Sequence, residues 1–359
     1  MYAYRDPALD RLHEDVARSI HEESVDAASI RERLFDVAST NCPFTRDYWR
    51  RTTRGRGLPD DAFKRQRLYL FPDHEPVRVF CTSGTTGEAR GRAAYSARGL
   101  DLMRTSILHN ARRSIVHDLD KPVIVRLVPS EQDAPEMVMA YGMQQIAEAF
   151  GDPELSACVV SPSGFDFARL ESALDAASAA GKPAILIGGS FAFVNLCDRL
   201  EAEGKSWRLP AGSRVVDAGG FKTRSRHVDV DTLREGLQRC FGVAASHCTN
   251  LFGMTELASQ LYDASDRPLG PLRERPKRSL AFVEPRVLHP ATLAPSASGI
   301  GLLEVIDHAV IDRPCAVLTG DYGIACEDGV AITGRIQKGQ SRGCSLTLDS
   351  ITRSEPTHA

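Results

Sequence analysis

Residues 77–92 read VRVFCTSGTTGEARGR. An apolar, β-branched run at 77–80 gives way abruptly to a segment in which Gly84 and Gly87 sit among Thr82, Ser83, Thr85 and Thr86. Glycine lets a backbone turn tightly, successive N–H groups can line a concavity suited to anions, and the hydroxyls add donors. Arg90 and Arg92 follow with positive charge. The stretch reads as a strand running into a phosphate-holding loop, with a Gly/Thr-rich hairpin turn as the plainer alternative. Its spacing is neither the G-x-x-x-x-G-K-[ST] of a Walker loop nor the G-x-G-x-x-G of a dinucleotide-binding turn.

Outward from this loop the pattern alternates. Runs at 77–80, 123–128 (VIVRLV), 157–160 (ACVV), 184–189 (AILIGG) and 214–220 (RVVDAGG) read as strands, with helical periodicity near 97–118, 134–150, 165–180, 190–203 and 230–241. Strands alternating with helices predict an α/β, doubly wound sheet with helices on both faces, whose strand-end loops gather ligands. Upstream, Leu9, Leu12, Val16 and Ile20 share one helical stripe, and Ile30, Leu34 and Val37 another. Residues 43–67 are rich in Arg, Gly and Pro and read as irregular connections around a short helix. From about 280 the text is strand-like and punctuated by turn residues, which predicts a β-rich lobe. The expected divisions are an N-terminal helical segment at 1–74, an α/β core at 75–279, the β-rich lobe at 280–351 and a disordered tail at 352–359.

The chain has 359 residues, 42% hydrophobic and 25% charged, with a formal net charge of −3. These are values of a globular protein, and the charge offers no bulk attraction to nucleic acid or an anionic membrane. Tyr48 and Trp49 lie among arginines, but stacking platforms recur along a chain and this one does not; a solvated charged face is the simpler reading. The start lacks a basic segment leading into an apolar run, and no apolar stretch is long enough to span a bilayer, so a cytoplasmic address is expected. Nine cysteines, scattered without a C-x-x-C pair, read as reduced thiols, and His247 beside Cys248 is a strand-borne pair with no second pair at ligand spacing. No structural metal is expected.

The threonine/serine/glycine loop at 82–87 resembles that of the adenylate-forming superfamily, in which a lysine follows; here Arg90 stands in its place, keeping the charge but replacing a compact ammonium by a fork. Four more segments match that superfamily in order. Ala218-Gly219-Gly220 ends a strand and resembles the segment lying against adenine. Leu251-Phe252-Gly253-Met254-Thr255-Glu256 resembles the aromatic-Gly-x-Thr-Glu motif. The resemblance implies that Phe252 and Gly253 stand near adenine, Thr255 contacts the α-phosphate, and Glu256 helps place Mg²⁺ with ATP, a hard cation favouring carboxylate oxygen. Read alone, the same segment could be a strand-to-helix turn capped by Thr255. Leu318-Thr319-Gly320-Asp321 resembles the motif whose aspartate accepts from the ribose hydroxyls, and Gly334-Arg335 the pair before an interdomain hinge. The fold implied is the adenylate-forming large domain with a β-rich lobe. The sequence ends 24 residues past Arg335, so the mobile C-terminal domain of that superfamily is expected to be absent, Lys338 being a poor substitute for its lysine.

A narrower resemblance, over roughly residues 30–350, is to acyl-protein synthetases of the LuxE type, on Ala62-Phe63-Lys64, Ile187-Gly188-Gly189-Ser190, Gly219-Gly220-Phe221-Lys222 and Arg342-Gly343-Cys344-Ser345-Leu346. It implies activation of a carboxylic, fatty-type acid as acyl-AMP, transfer to Cys344 as a thioester, and delivery to a partner such as an acyl reductase. Arg342 could lower the thiol pKa. Cys344 also alternates with Leu346 and Leu348, as a buried small hydrophobe would. Two other functions remain open: direct transfer to CoA, a carrier protein or an amine, and a non-catalytic nucleotide-binding scaffold.

Overall fold

The computed structural model describes residues 6–22, 26–72, 76–82, 90–219, 228–264 and 276–335. They fall into two compact units. The first comprises the described residues of Met1–Ser106, Met254–Ser259 and Pro276–Ala359, and the second those of Ile107–Gly253 and Gln260–Arg275. Among the described residues no helix is long and apolar enough to cross a membrane.

The second unit is organised by one six-stranded sheet, in the order Leu261–Tyr262, Cys248–Phe252, Arg214–Ala218, Ala184–Gly189, Val123–Leu127, Ala157–Cys158. All neighbours are parallel except the first pair. The strands Ala184–Gly189 and Arg214–Ala218 are buried along their whole length, as expected where helices cover both faces. Val123, Val125, Leu127, Ala184, Leu186 and Val215 join one apolar cluster with the helices Phe167–Ala179, Ser190–Glu203 and Val230–Phe241. Ile124 alternates to the opposite face, where the end of the helix Val138–Phe150 arrives: a Cβ on Gly151 would stand 3.4 Å from its Cγ1.

Local chemistry sets the helix ends. Asp166 accepts from Arg169 N and Asp229 from Thr232 N, each at 2.9 Å, which satisfies an orphan donor of the first turn. Gly204 and Gly242 stop two helices in the left-handed region, at φ 66° and 70°. The run at 157–160 is not one strand: Ala157–Cys158 ends the parallel sheet, and Val160–Ser161 turns into a hairpin with Gly164–Phe165.

The first unit carries the antiparallel sheet. Its order is Lys277–Arg278, Gly329–Arg335, Ala316–Cys326, Ile300–Asp307, Val283–Leu288, and Leu58–Pro59 pairs parallel to Ala316–Cys326. Strand Arg78–Cys81 belongs to this unit and to a separate two-stranded sheet, not to the parallel sheet. It pairs antiparallel with Arg92–Tyr95, because the connection 82–91 is too short for the crossover of about a dozen or more residues that parallel pairing needs.

The helices Pro7–His21 and Ala27–Asn41 are capped by Asp6 and Asp26, Asp6 accepting from Ala8 N at 2.8 Å and Asp26 from Ser29 N at 3.0 Å. The stretch 43–67 holds a full helix, Pro43–Arg51, and a short one, Ala62–Arg65. Tyr48 and Trp49 are buried in packing: Trp49 Nε1 donates to Arg56 O at 2.8 Å and Tyr48 Oη to Gly57 O at 3.2 Å.

Gly57 donates its N–H to Glu304 Oε1 at 2.8 Å, and a Cβ there would lie 2.6 Å from Leu318 N. Backbone cannot yield as a flexible side chain does, so Gly57→Ala should lower unfolding stability by about 1–3 kcal/mol. An unchanged midpoint in urea would show that 57–59 does not pack on 317–318 as described.

Candidate functional site

In the first unit, the connection between Arg78–Cys81 and Arg92–Tyr95 is drawn shut at its neck. Thr82 N donates to Gly91 O at 2.9 Å, Gly91 N to Thr82 Oγ1 at 2.8 Å, and Arg90 Nε to Thr82 O at 2.8 Å. A Cβ on Gly91 would stand 3.0 Å from Thr82 Cγ2 and 3.5 Å from Glu256 Oε1, so glycine lets the closed neck lie close to that carboxylate. Ser83, Gly84, Thr85, Thr86 and Gly87, the rest of the expected phosphate loop, lie outside the described residues.

Glu256 sits in the turn Met254–Ser259. No helix begins there, so Thr255, which is buried, is not a helix cap. Glu256 is only 4% exposed. Burial pushes its carboxyl up from an ordinary 4.5 to about 7; its own N–H opposes the rise, Asp60 adds to it, and Arg313 and Arg335 pull it down without cancelling. A desolvated carboxylate whose charge is incompletely met is a donor suited to a hard divalent cation such as Mg²⁺.

Asp321 follows Gly320 on the strand Ala316–Cys326 and lies opposite Arg335 in register. Thr319 turns inward, its Oγ1 donating to Leu303 O at 3.0 Å and accepting from Asp321 N at 3.2 Å. Arg335 Nη2 reaches Asp60 Oδ2 at 3.5 Å, and a Cβ on Gly320 would stand 3.3 Å from the same oxygen. Asp60, Gly320 and Arg335 thus share one corner of the first unit.

In the second unit, the carboxyl ends of the parallel strands bring Gly189, Ala218 and Leu251 into register, with Phe252 and Gly253 following. Gly219 has φ 76°, and a Cβ on it would meet nothing within 4 Å, so that side of its Cα is uncovered, while its N–H donates to Leu251 O at 3.3 Å. The strand Arg214–Ala218 before it is anchored through Asp217. Ser190 Oγ donates to Asp217 Oδ2 at 2.8 Å and Asn250 Nδ2 to the same oxygen at 2.8 Å, while Arg234 pairs with Asp217 Oδ1 at 2.7 Å. Asp217 and Arg234 are 2% and 3% exposed. Gly220 and Cys344 lie outside the described residues.

The profile of the family "Acyl-protein synthetase, LuxE" matches residues 58–352. The chain belongs to that family. A relative, the long-chain-fatty-acid–luciferin-component ligase of Vibrio harveyi, is 23% identical over 303 residues, covering 81% of this chain and 76% of the relative. Among solved structures, an open conformation of 2-hydroxyisobutyryl-CoA ligase in complex with 2-HIB-AMP and CoA superposes with a TM-score of 0.61 at 12% identity, covering 87% of this chain and 71% of that one. McyG A-PCP complexed with phenylalanyl-adenylate gives 0.51 at 17% identity, over 75% and 42%. At such identities the likeness is one of fold, the adenylate-forming fold. The chain spans about half the length of several solved structures it matches, 47% in one ATP-bound enzyme.

Within this LuxE-family chain the motif reading names Thr82, Arg90, Thr255, Glu256, Asp321 and Arg335 in the first unit, and Gly219, Phe252 and Gly253 in the second. It misses Asp60, Tyr95, Asp307 and Arg313, which surround Glu256 or its turn. No local pattern marks them: Asp312-Arg313 looks like a charged turn between strands, yet Arg313 is 1% exposed.

The raised carboxyl has a consequence for stability. Between about pH 4.5 and 7 the unfolded chain loses the Glu256 proton while the folded chain keeps it, so this group lowers stability as pH rises through that window and its full cost is present above it. In nucleotide-free, metal-free protein, Glu256→Gln should therefore be stabilised relative to wild type by about 3 kcal/mol at pH 8 and hardly at all at pH 4. Denaturant midpoints that differ equally at both pH values would show that the carboxyl is not perturbed.

Proposed function

We propose that the chain is an AMP-forming ligase that activates a carboxylic acid, of the fatty-acid class, with ATP. A carboxylate oxygen of the acid attacks the α-phosphorus, an acyl O–P bond forms as the bond to the α,β-bridging oxygen breaks, and pyrophosphate leaves. In the second half the Cys344 thiolate attacks the acyl carbon, a C–S bond forms, and AMP departs with the C–O electron pair. The acyl group then passes to a partner, an acyl reductase or a carrier protein. Membership of an acyl-protein synthetase family supports this reading, and so does a relative named for a long-chain fatty acid.

The observation that carries it is the buried Glu256 carboxylate standing at the neck closed by Thr82 and Gly91. When bound through ATP, Mg²⁺ would supply positive charge against the charge that develops on the phosphate oxygens. Glu256 is the residue that would hold it. Thr82 would present its hydroxyl, and Ser83, Gly84, Thr85, Thr86 and Gly87 N–H and hydroxyl donors, to phosphate, and Arg90 would add charge. Thr255 would contact the α-phosphate and Asp321 would accept from the ribose hydroxyls. Arg335 would lie beside the nucleotide, and Gly219, Gly220, Phe252 and Gly253 would meet the adenine. Desolvation makes the buried Glu256 charge act more strongly than it would in water.

An acid-dependent ATP/pyrophosphate exchange screen across a panel of carboxylic acids tests the first half. Exchange should peak with long-chain acids and fall about 100-fold or more in Glu256→Gln, because a charge at the transition state is lost. Exchange absent with every acid would favour a nucleotide-binding scaffold instead.

The thiol step separates from the first. With MgATP and the preferred acid, the peptide containing Cys344 should gain one acyl mass that neutral hydroxylamine removes. Cys344→Ser should keep exchange and lose both the label and transfer. Full transfer to CoA, a carrier protein or an amine by that variant would replace the covalent route by a direct one.

A further inference from the structure

Arg313 lies in the interior of the first unit with its fork spread over neutral oxygens. Nη2 donates to Glu256 O at 3.1 Å and Nε to the same oxygen at 3.3 Å, Nη1 donates to Ala94 O at 3.4 Å, and Nη2 also donates to Tyr95 Oη. The guanidinium carbon stands 4.2 Å from the centre of the Tyr95 ring. Tyr95 Oη donates in turn to Leu257 O at 3.0 Å. From the other end of the same turn, Asp307 accepts from Ala258 N at 2.8 Å and from Ser259 N at 2.7 Å. Every residue from Glu256 to Ser259 therefore has one main-chain group tied to a buried side chain.

A buried cation is costly, and a well-packed apolar residue of similar volume would serve packing as well or better. What an apolar residue cannot do is donate in several directions from one rigid plane. We infer that Arg313, seated on Tyr95, is a positioning residue: it fixes the main chain of the Glu256 turn so that the carboxylate is held at the Thr82–Gly91 neck. It touches no reacting atom. Its whole effect runs through Glu256, and the inference rests on the reading that Glu256 holds the metal of MgATP. Because Glu256 is a single flexible side chain opposed to a neck it must meet closely, the main chain beneath it sets where its oxygens can reach. A displacement of about 1 Å at such a group can lower turnover on the order of 100-fold.

The test uses the full chain with Tyr95→Phe, Arg313→Lys and Glu256→Gln. Tyr95→Phe keeps the ring and removes both the acceptor for Arg313 and the donor to Leu257. Arg313→Lys keeps the charge and loses the fork. The readouts are thermal midpoint, kcat and KM for ATP in pyrophosphate exchange, and the affinity for Mn²⁺ followed by electron paramagnetic resonance with a non-hydrolysable ATP analogue. Tyr95→Phe and Arg313→Lys should lower kcat about 10- to 100-fold per folded molecule. They should change KM for ATP less than about threefold and weaken Mn²⁺ about tenfold. Wild-type kcat and Mn²⁺ affinity in folded Tyr95→Phe would overturn the inference, even if Arg313→Lys fails to fold. If Glu256→Gln also keeps wild-type exchange and Mn²⁺ affinity, the functional reading beneath it falls as well. Glu256→Gln impaired with Tyr95→Phe intact would remove the positioning role alone.

Discussion

A carboxylate kept from water is costly unless charge or hydrogen bonds meet it, and the first unit is built around one that they meet only in part. Glu256 could have been exposed on its turn, as most glutamates are. It is buried instead, with Arg313 directing its fork at the glutamate's own main-chain oxygen. The arrangement separates two jobs: the backbone is tied down by donors from below, and the charge is left incompletely satisfied above. Rigid support under an incompletely satisfied group is the physical form of preorganisation, since little would have to move if a balancing charge were bound.

The second unit solves a related problem with glycine and a buried ion pair. Parallel strands end together, so whatever binds at their carboxyl edge meets backbone first. Gly219 removes the side chain that would stand there, and the Asp217–Arg234 pair, with Ser190 and Asn250, ties the end of the strand before it to its neighbours. Asn250 is also held from the far side, its backbone N–H donating to Asp263 Oδ2 at 2.8 Å. Two neighbouring strands are in this way joined by side chains as well as by their ladder.

Periodicity makes most of the second unit legible, the broken run at 157–160 apart: 184–189 is apolar throughout because both faces are covered, and the helix at 190–203 has the boundaries its pattern suggests. The first unit is harder to read. Residues 77–80 look like any buried strand, and only the length of the following connection decides against a parallel partner. Pairing of Leu58 with Val317 cannot be seen in either segment alone, because register between distant residues leaves no local mark. The same holds around Glu256. Motifs record residues held at fixed spacing within one segment, so Thr82 and Glu256 stand out; Tyr95, Asp307 and Arg313 act on backbone from three separate segments and have no spacing to betray them.

The parallel pair Leu58–Pro59 with Val317–Leu318 has a further meaning for how the chain is made. The strand-and-helix succession of the second unit runs through one continuous stretch from Ile107 to Gly253, and its strands can pair as they emerge during synthesis. The first unit has no such liberty. Its early residues wait for partners at 304 and 317, and the turn at 256–259 waits for 307 and 313. Loops this long must close before their contacts offset the lost chain entropy. The burial of Glu256 is therefore among the last features that translation can complete, and until then its acid stands in water as an ordinary glutamate.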